Sequence, residues 1–353
     1  MKKLNFIIKC GLALLLLSFY SCESWLNVTP SDRLSEEMLF NDREGFVKAL
    51  NGVYIELNTN ELYGRNLTAG ALDVMGQYYS VASSSHAFYN YGGLVYTGND
   101  EKALFDNMWQ KCYAVIACCN TIIEKCDENK AGLSPVWRGS IKGETLALRA
   151  MLHFDMLRLF GPLTSELDKE SIPYQTNSDQ TVTPLLSGSE VVGLILDDLK
   201  NAVGLLKDTD PYFVEEEFSD TDLNYRRFRM NYFAAKGLMA RVQLWGGDKE
   251  KAAATAKEVI AEGQAEGAEF FPFVTNSEAT SSNPDRVFYS EVLFGTYHSS
   301  REKLHEDLFA PTLESTSILT LAGTARRDDL YDNENDYRYS VWSTYNKNGT
   351  SVL

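Results

Sequence analysis

The chain is poor in the residue patterns that carry most chemistry. It has four histidines, His86, His153, His298 and His305, and no H-E-x-x-H, G-x-S-x-G or Walker sequence. It has no C-x₂-C spacing, so neither a metal nor a cofactor is expected. It has no apolar run long enough to span a bilayer; the longest, Leu12 to Leu17, is far too short. It lacks positive charge, with 33 basic against 49 acidic residues and a net charge of −16. That argues against nucleic acid or an anionic membrane surface as the main partner. Carboxylate pairs such as Asp197-Asp198 and Asp328-Asp329 are what an acidic chain contains by chance. Glycoside hydrolysis needs two placed carboxylates, which sequence cannot position.

What is present is a 353-residue chain, 44% hydrophobic and 12% aromatic with 19 tyrosines, enough for a large core. Lys2, Lys3 and Lys9 precede the short apolar run, and Ser18-Phe19-Tyr20-Ser21-Cys22 follows it. Residues 1–21 read as a signal peptide. A small residue directly before cysteine resembles a bacterial lipobox, with Cys22 as the diacylated N-terminus. The alternative is an ordinary secretory peptide with an incidental Cys22. Cleavage removes three lysines and no acid, leaving −19. Cys112, Cys119 and Cys126 are seven apart, about 10 Å along a helix, beyond the roughly 7 Å a disulfide allows. With Cys118 they read as small hydrophobes in a helix.

The helical period carries most of the mature chain. Residues 22–34 read as a tether. Asp42 can cap a helix ending at Leu57, and 62–79 reads as a second helix weakened by Gly64, Gly70 and Gly76. A third runs from Asn99-Asp100 to about Asn129. Ser134-Pro135 starts a fourth, which Gly161-Pro162 stops. This fourth helix has two apolar stripes, so it is expected between neighbours. Its charged residues Glu144 and Arg149 read as buried pairs, His153 as a packed histidine, and Asp155 with Arg158 as a surface pair. Trp109 and Trp137 read as core. Helices at 189–206, 230–246 and 248–263 follow, the last capped by Asp248. Short strands are expected at 270–274 and 287–297. Helix hairpins of roughly 35 residues suggest TPR-like units.

Residues 77–99 keep neither period. They form a long loop of aromatic, Ser, Asn and Gly residues, and such loops are often functional. Sugar rings present apolar C–H faces that pack on aromatic rings, while amides and carboxylates take the hydroxyl groups. Tyr78, Tyr79, Tyr89, Asn90, Tyr91 and Tyr96 supply both.

Several stretches together resemble the SusD/RagB family of Bacteroidetes nutrient-binding outer-membrane lipoproteins. Trp25 to Pro30 after Cys22 is similar to the family's opening, and Gly45 to Tyr54 to its first helix. Trp109, Tyr113, Ile116, Cys119 and Asn120 match a W…Y…I…N helix. Gly143 to Gly161 is close to G-E-A-x-x-L-R-A-x-x-x-F-x-L-x-R-x-F-G, and Asn231 to Asp248 to N-x-x-A-A-x-A-L-x-A-R-V-x-L-x-x-G-D.

The resemblance implies a mainly α fold. TPR-like hairpins over 35–268 form a SusD-like scaffold. Long irregular loops and a few short strands lie in 269–353, an incomplete C-terminal region. It implies no catalysis. It implies a lipid-anchored protein facing the cell exterior, binding an oligosaccharide or other nutrient for a SusC-like TonB-dependent transporter. It also places ligand contacts in C-terminal loops, where Tyr297 and Trp342 are the candidates. The alternatives are a TPR-like envelope scaffold for a protein or peptide, and a secreted glycosidase.

Overall fold

The computed structural model describes residues 36–179, 181–214, 218–219, 225–265, 268–285 and 287–321, with 328–329, 331, 333, 336, 345–347 and 350–352 beyond. Cys22 and Trp342 lie outside them.

The main helices are α1 (Arg43–Leu57), α2 (Ala71–Met75), α3 (Tyr89–Gly92), α4 (Asn99–Glu128), α5 (Pro135–Phe160), α6 (Gly188–Thr209), α7 (Tyr232–Trp245), α8 (Lys249–Gly263) and α9 (Arg301–Leu308). Their ends follow local chemistry. Asp42, Ser134, Asn231 and Asp248 each accept a backbone N–H of the first turn of α1, α5, α7 and α8. Ser187 and Glu190 form a reciprocal capping box at α6. Asn129 ends α4 in the left-handed region at φ 45°.

α5 is the spine. It packs against α4 and α6 and touches α1 and α7. Phe154, Leu148, Leu152 and Met156 are among its fully buried side chains. α5 and α6 approach closely because α5 carries glycine where they meet. A Cβ at Gly143 lies 2.8 Å from Leu206 Cγ and 3.2 Å from the Ala202 carbonyl. α4 with α5, and α7 with α8, form the paired helices of a TPR-like scaffold.

Two buried ionic clusters bind these helices. Arg226 donates from Nη1 to Glu144 (2.7 Å) and from Nε and Nη2 to Asp210 (3.0 and 2.8 Å). Glu144 also accepts from Tyr54 Oη (2.6 Å) and pairs with Arg229 (2.7 Å). Burial alone would raise the Glu144 carboxyl, but Arg229 and Arg226 outweigh it and hold it below the ordinary range. In the second cluster, Arg149 makes a bidentate pair with Asp198, both bonds 2.7 Å, and donates to Asn120 (2.8 Å). Tyr174 also donates to Asp198 (2.6 Å).

His153 is fully buried and stacks on Tyr174 at 4.0 Å. Its Nε2 accepts from the Gln175 N–H (3.0 Å) and its Nδ1 faces the Arg149 carbonyl (3.0 Å). A carbonyl only accepts, so the proton is assigned to Nδ1. Cys112, Cys119 and Cys126 are buried, Cys118 is exposed, and all four are free thiols. Asp155 and Arg158 pair at 2.9 Å. Trp109 and Trp137 sit at the core's edge, half-buried. Trp137 lines two surface pockets and lies under the Arg43 guanidinium at 4.7 Å, so it is rim rather than interior.

Three expectations fail. The helix over 62–79 is confined to Ala71–Met75. Ahead of it the chain turns tightly enough that a Cβ at Gly64 would meet the Asn58 carbonyl at 2.2 Å. The stretch 77–99 is not wholly irregular, since it holds α3 and the strand β1 (Tyr79–Ser80). Neither 270–274 nor 287–297 is a strand. Phe288 adopts φ 52°, and Tyr289–Glu291 is a 3₁₀ turn. Carboxylates take the backbone donors that a ladder would have used: Asp285 those of Val287 and Tyr289, Glu291 that of Val274. Phe270 and Phe271 pack on Phe233 of α7 instead, and Tyr289 lies against Phe228.

Strand pairing elsewhere is minimal. β2 (Glu170–Pro173) pairs with β3 (Leu185–Ser187), β4 (Gln264–Ala265) with β5 (Ala268–Glu269), and β7 (Tyr345–Lys347) with β8 (Thr350–Val352), all antiparallel. β1 pairs antiparallel with β6 (Thr320–Leu321), Tyr79 opposite Leu321.

Candidate functional site

The irregular stretch is held by its own small core. Ala71, Val74, Phe88, Tyr91, Leu308 and Leu319 form an apolar cluster apart from the main one. Among the described residues, Leu104 and Phe105 of α4 pack against both clusters. Phe105 meets Tyr91 at 5.9 Å and Phe160 of α5 at 6.2 Å, which ties the loop to the spine.

Above this cluster is an open pocket of about 740 Å³. Its apolar lining is Tyr79, Tyr89, Val81 and Val95. Its polar lining is Gln77, Ser80, Asn90 and Asp329, and Gly92-Gly93 leave one side low. Gln77 and Leu94 flank it with φ of 61° and 54°, a cost accepted by non-glycine residues only where the surroundings fix them. The Gln77 amide donates to the carbonyls of Gly92 (3.0 Å) and Val74 (3.3 Å), closing the loop on itself. Asn90 donates to Glu101 at the start of α4 (2.8 Å), which fixes its amide and leaves the carbonyl oxygen as an acceptor.

Charge in this region is low or negative. The described lining has no lysine or arginine. Burial pushes the nearby Asp73 up to about 6. Burial and then the Asp73 charge push Tyr79 up to about 12, so its hydroxyl is protonated at neutral pH. Aromatic faces, amides, hydroxyls and one carboxylate suit an uncharged, hydroxyl-rich ligand.

The structure brings together Tyr79, Tyr89 and Asn90 of the expected residues. Tyr91 is a correction. It is 3% exposed, with its ring against Phe88 and Phe105, so it supports the floor and offers no face to a ligand. Tyr78 is exposed outside the lining, its ring over Gly76. Tyr96 rests edge-on against Phe105 at 5.4 Å, also outside the lining. Tyr297 is exposed in another pocket that shares no lining residue with the first. Gln77, Ser80 and Asp329 went unnoticed as site residues. The Gly92-Gly93 pair was the local signal for an open wall, whereas Asp329 carries none.

Comparison with known proteins agrees with this fold. The family model described as "Starch-binding associating with outer membrane" matches residues 24–244. SusD-like protein P2 of Formosa agariphila is 25% identical over 265 residues, covering 73% of this chain and 46% of that protein. SusD-like protein P38 of the same organism is 26% identical over 199 residues, 52% of this chain and 34% of that protein. The chain therefore spans less than half the length of these curated relatives. Two solved structures from Bacteroides vulgatus share the fold. A SusD-like carbohydrate binding protein has a TM-score of 0.65 at 20% identity, over 88% of this chain and 63% of that one. A putative sugar binding protein has a TM-score of 0.66 at 21% identity, over 88% and 66%. With the family match covering well over half of its residues, the chain belongs to the SusD-like family.

Proposed function

We propose that this protein captures an oligosaccharide at the outer cell surface and passes it to a SusC-like TonB-dependent transporter. The observation that carries the reading is the pocket built by 77–95: two tyrosines, two side-chain amides and no basic residue in the described lining. Pyranose faces stack on tyrosine, and amides read ring hydroxyls in both directions. Family membership supports the same reading. Binding and release, without bond cleavage, is the whole of the proposed activity.

Tyr89 is the residue to test, because it lines the pocket and is 43% exposed, so its loss spares the core. Tyr89→Ala is expected to weaken binding of the best ligand in a glycan panel about tenfold or more, roughly 1.4 kcal/mol. Isothermal titration on the full chain measures it. An unchanged affinity removes the pocket from the binding role.

The membrane attachment proposed here is a lipid on Cys22, after removal of residues 1–21. Cys22→Ala is expected to move the protein from the membrane to the soluble fraction of a cell lysate. Retention of the variant in the membrane would show that Cys22 is not the anchor.

A further inference from the structure

The pocket at 77–95 has few hydrogen-bond donors left for a ligand. Around its low wall the backbone donors are spent within the chain. The N–H groups of Gly92 and Gly93 donate to Phe88 and Tyr89 (3.0 and 3.1 Å), and those of Leu94 and Val95 to Tyr91 and Asn90 (3.1 and 2.8 Å). The wall therefore offers no nest of free N–H groups to an anion. The Gln77 amide nitrogen has two hydrogens and faces two carbonyls, so its free end is Oε1, an acceptor. Asn90 gives one hydrogen to Glu101 and keeps Oδ1 with a single N–H. Asp329 only accepts, and it makes no hydrogen bond or ion pair with another described residue. The hydroxyls of Tyr79, Tyr89 and Ser80 serve either way. What remains is a surplus of acceptors.

Charge runs the same way, and here the pocket differs from the rest of the molecule. Among the described residues four carboxylic side chains are buried: Glu101, Glu144, Asp198 and Asp210. The last three each pair with an arginine. Glu101 has no cationic partner among the described residues, and it reaches the pocket through Asn90. Asp73 stands behind Tyr79, also without a lysine or arginine on it. The field of these groups is felt at the lining and the floor. Burial and then Asp73 push Tyr79 up to about 12, and burial, then Glu101 and Asp100, do the same to Tyr91. A buried carboxylate left uncompensated in the protein favours a cation brought from outside.

We propose that this pocket selects an amino sugar: a ring carrying one protonated primary amine on an otherwise uncharged, hydroxyl-rich ligand. An ammonium group has three hydrogens and no acceptor, so a surplus of acceptors favours it over a hydroxyl. Asp329 supplies its charge partner, and Gln77 and Asn90 supply acceptors. The faces of Tyr79 and Tyr89 attract a cation as well as C–H groups. Glu101 and Asp73 act from behind, and a cleft lined by one sign of charge focuses the field. The proposal rests on the carbohydrate reading of the same pocket and narrows its substrate class. Acetylating the amine, or replacing it by hydroxyl, removes the charge that these groups recognise. A lysine side chain carries the amine but lacks the ring for the tyrosines to stack on.

The test uses methyl glycosides of glucose, galactose and mannose, each as the parent sugar, its amino sugar and its N-acetylated amino sugar. N-acetyl-lysine methylamide serves as an amine without a sugar ring. Saturation-transfer NMR titrations on the full chain are run near neutral pH, where primary amines are mostly protonated. At least one amino glycoside is expected to bind about fivefold tighter than both of its neutral counterparts at low salt. That ratio shrinks in about 0.5 M salt. It also falls toward one in Asp329→Asn, which keeps the shape of an exposed side chain and removes its charge. Tyr89→Ala weakens charged and neutral forms alike. If a neutral glycoside binds, Tyr89→Ala weakens it and the amine adds nothing, the amino-sugar assignment is overturned while the carbohydrate role of the pocket stands. An amine preference that Asp329→Asn leaves intact reflects the general field of an acidic protein and also overturns it. Equal binding of the lysine derivative overturns it in favour of a basic peptide. If no glycoside of any form binds, both readings fall together.

Discussion

Arg226→Met is expected to lower folding stability by about 3–5 kcal/mol, the usual cost of removing one partner from a buried ion cluster. The guanidinium is 3% exposed and bridges Glu144 on the spine to Asp210 at the end of α6. Asp210 in turn accepts the Tyr232 N–H at the start of α7 (2.8 Å), so one arginine joins three helices. Without it, two buried carboxylates keep only part of their compensation. Arg229 still faces Glu144, but Asp210 loses its cation. Urea unfolding reads the loss as a lower midpoint with an unchanged slope. Asp210→Asn in the Arg226→Met background is expected to recover part of it, because it removes the stranded charge. A loss under about 1 kcal/mol for Arg226→Met would mean that the cluster does not hold the helices together.

The second large effect is acid sensitivity through His153. Burial is the main cause holding its imidazole down to about 3. Its nitrogens are committed as well, one as acceptor for the Gln175 N–H, so protonation also breaks a bond. The unfolded chain binds the proton near 6.5 and the folded chain does not until about 3. Stability therefore falls as pH drops through this window, by about 1.4 kcal/mol per unit. Between pH 6.5 and 4.5 that integrates to about 2 kcal/mol, the slope being half its full value at pH 6.5. His86, lowered by burial, acts in the same direction. Asp73 acts oppositely: raised to about 6, it takes a proton in the folded state first and stabilises the fold as pH falls below that value. Urea midpoints from pH 7.5 to 4.5 are expected to decline in wild type and to flatten in His153→Gln. Parallel declines in both would assign the acid limb to other groups.

The helices were legible because two kinds of signal coincide. The 3.6 period marks their faces, and Asp42, Ser134 and Asp248 mark their starts. The spine's double stripe foretold its burial between α4 and α6, and its charged residues were read as paired for the right reason. The missing strands show where periodicity misleads. Apolar residues alternate at 287–297 as in a half-buried strand, but Asp285 takes the N–H groups of Val287 and Tyr289 and Phe288 turns the chain at φ 52°. The site divides in the same way. Tyr89 and Tyr91 are the same residue type two positions apart, and one lines the pocket while the other is its floor. What separates them is Phe105 and the Leu308–Leu319 region, which nothing local to the loop announces. Asp329 reaches the pocket from far along the chain for the same reason.

The small apolar cluster beneath the pocket has a consequence for how this surface changes over time. It is linked to the main core through Leu104 and Phe105. Units bounded in this way open and close with their own free energy, below that of the whole domain. A substitution that weakens the pocket wall draws on that local reserve and leaves the spine folded. The loop can therefore drift toward a different ligand while the chain stays above the threshold for folding. On the proposed reading, ligand contact and this local reserve of stability fall on the same segment, the pocket-lining residues between Gln77 and Val95.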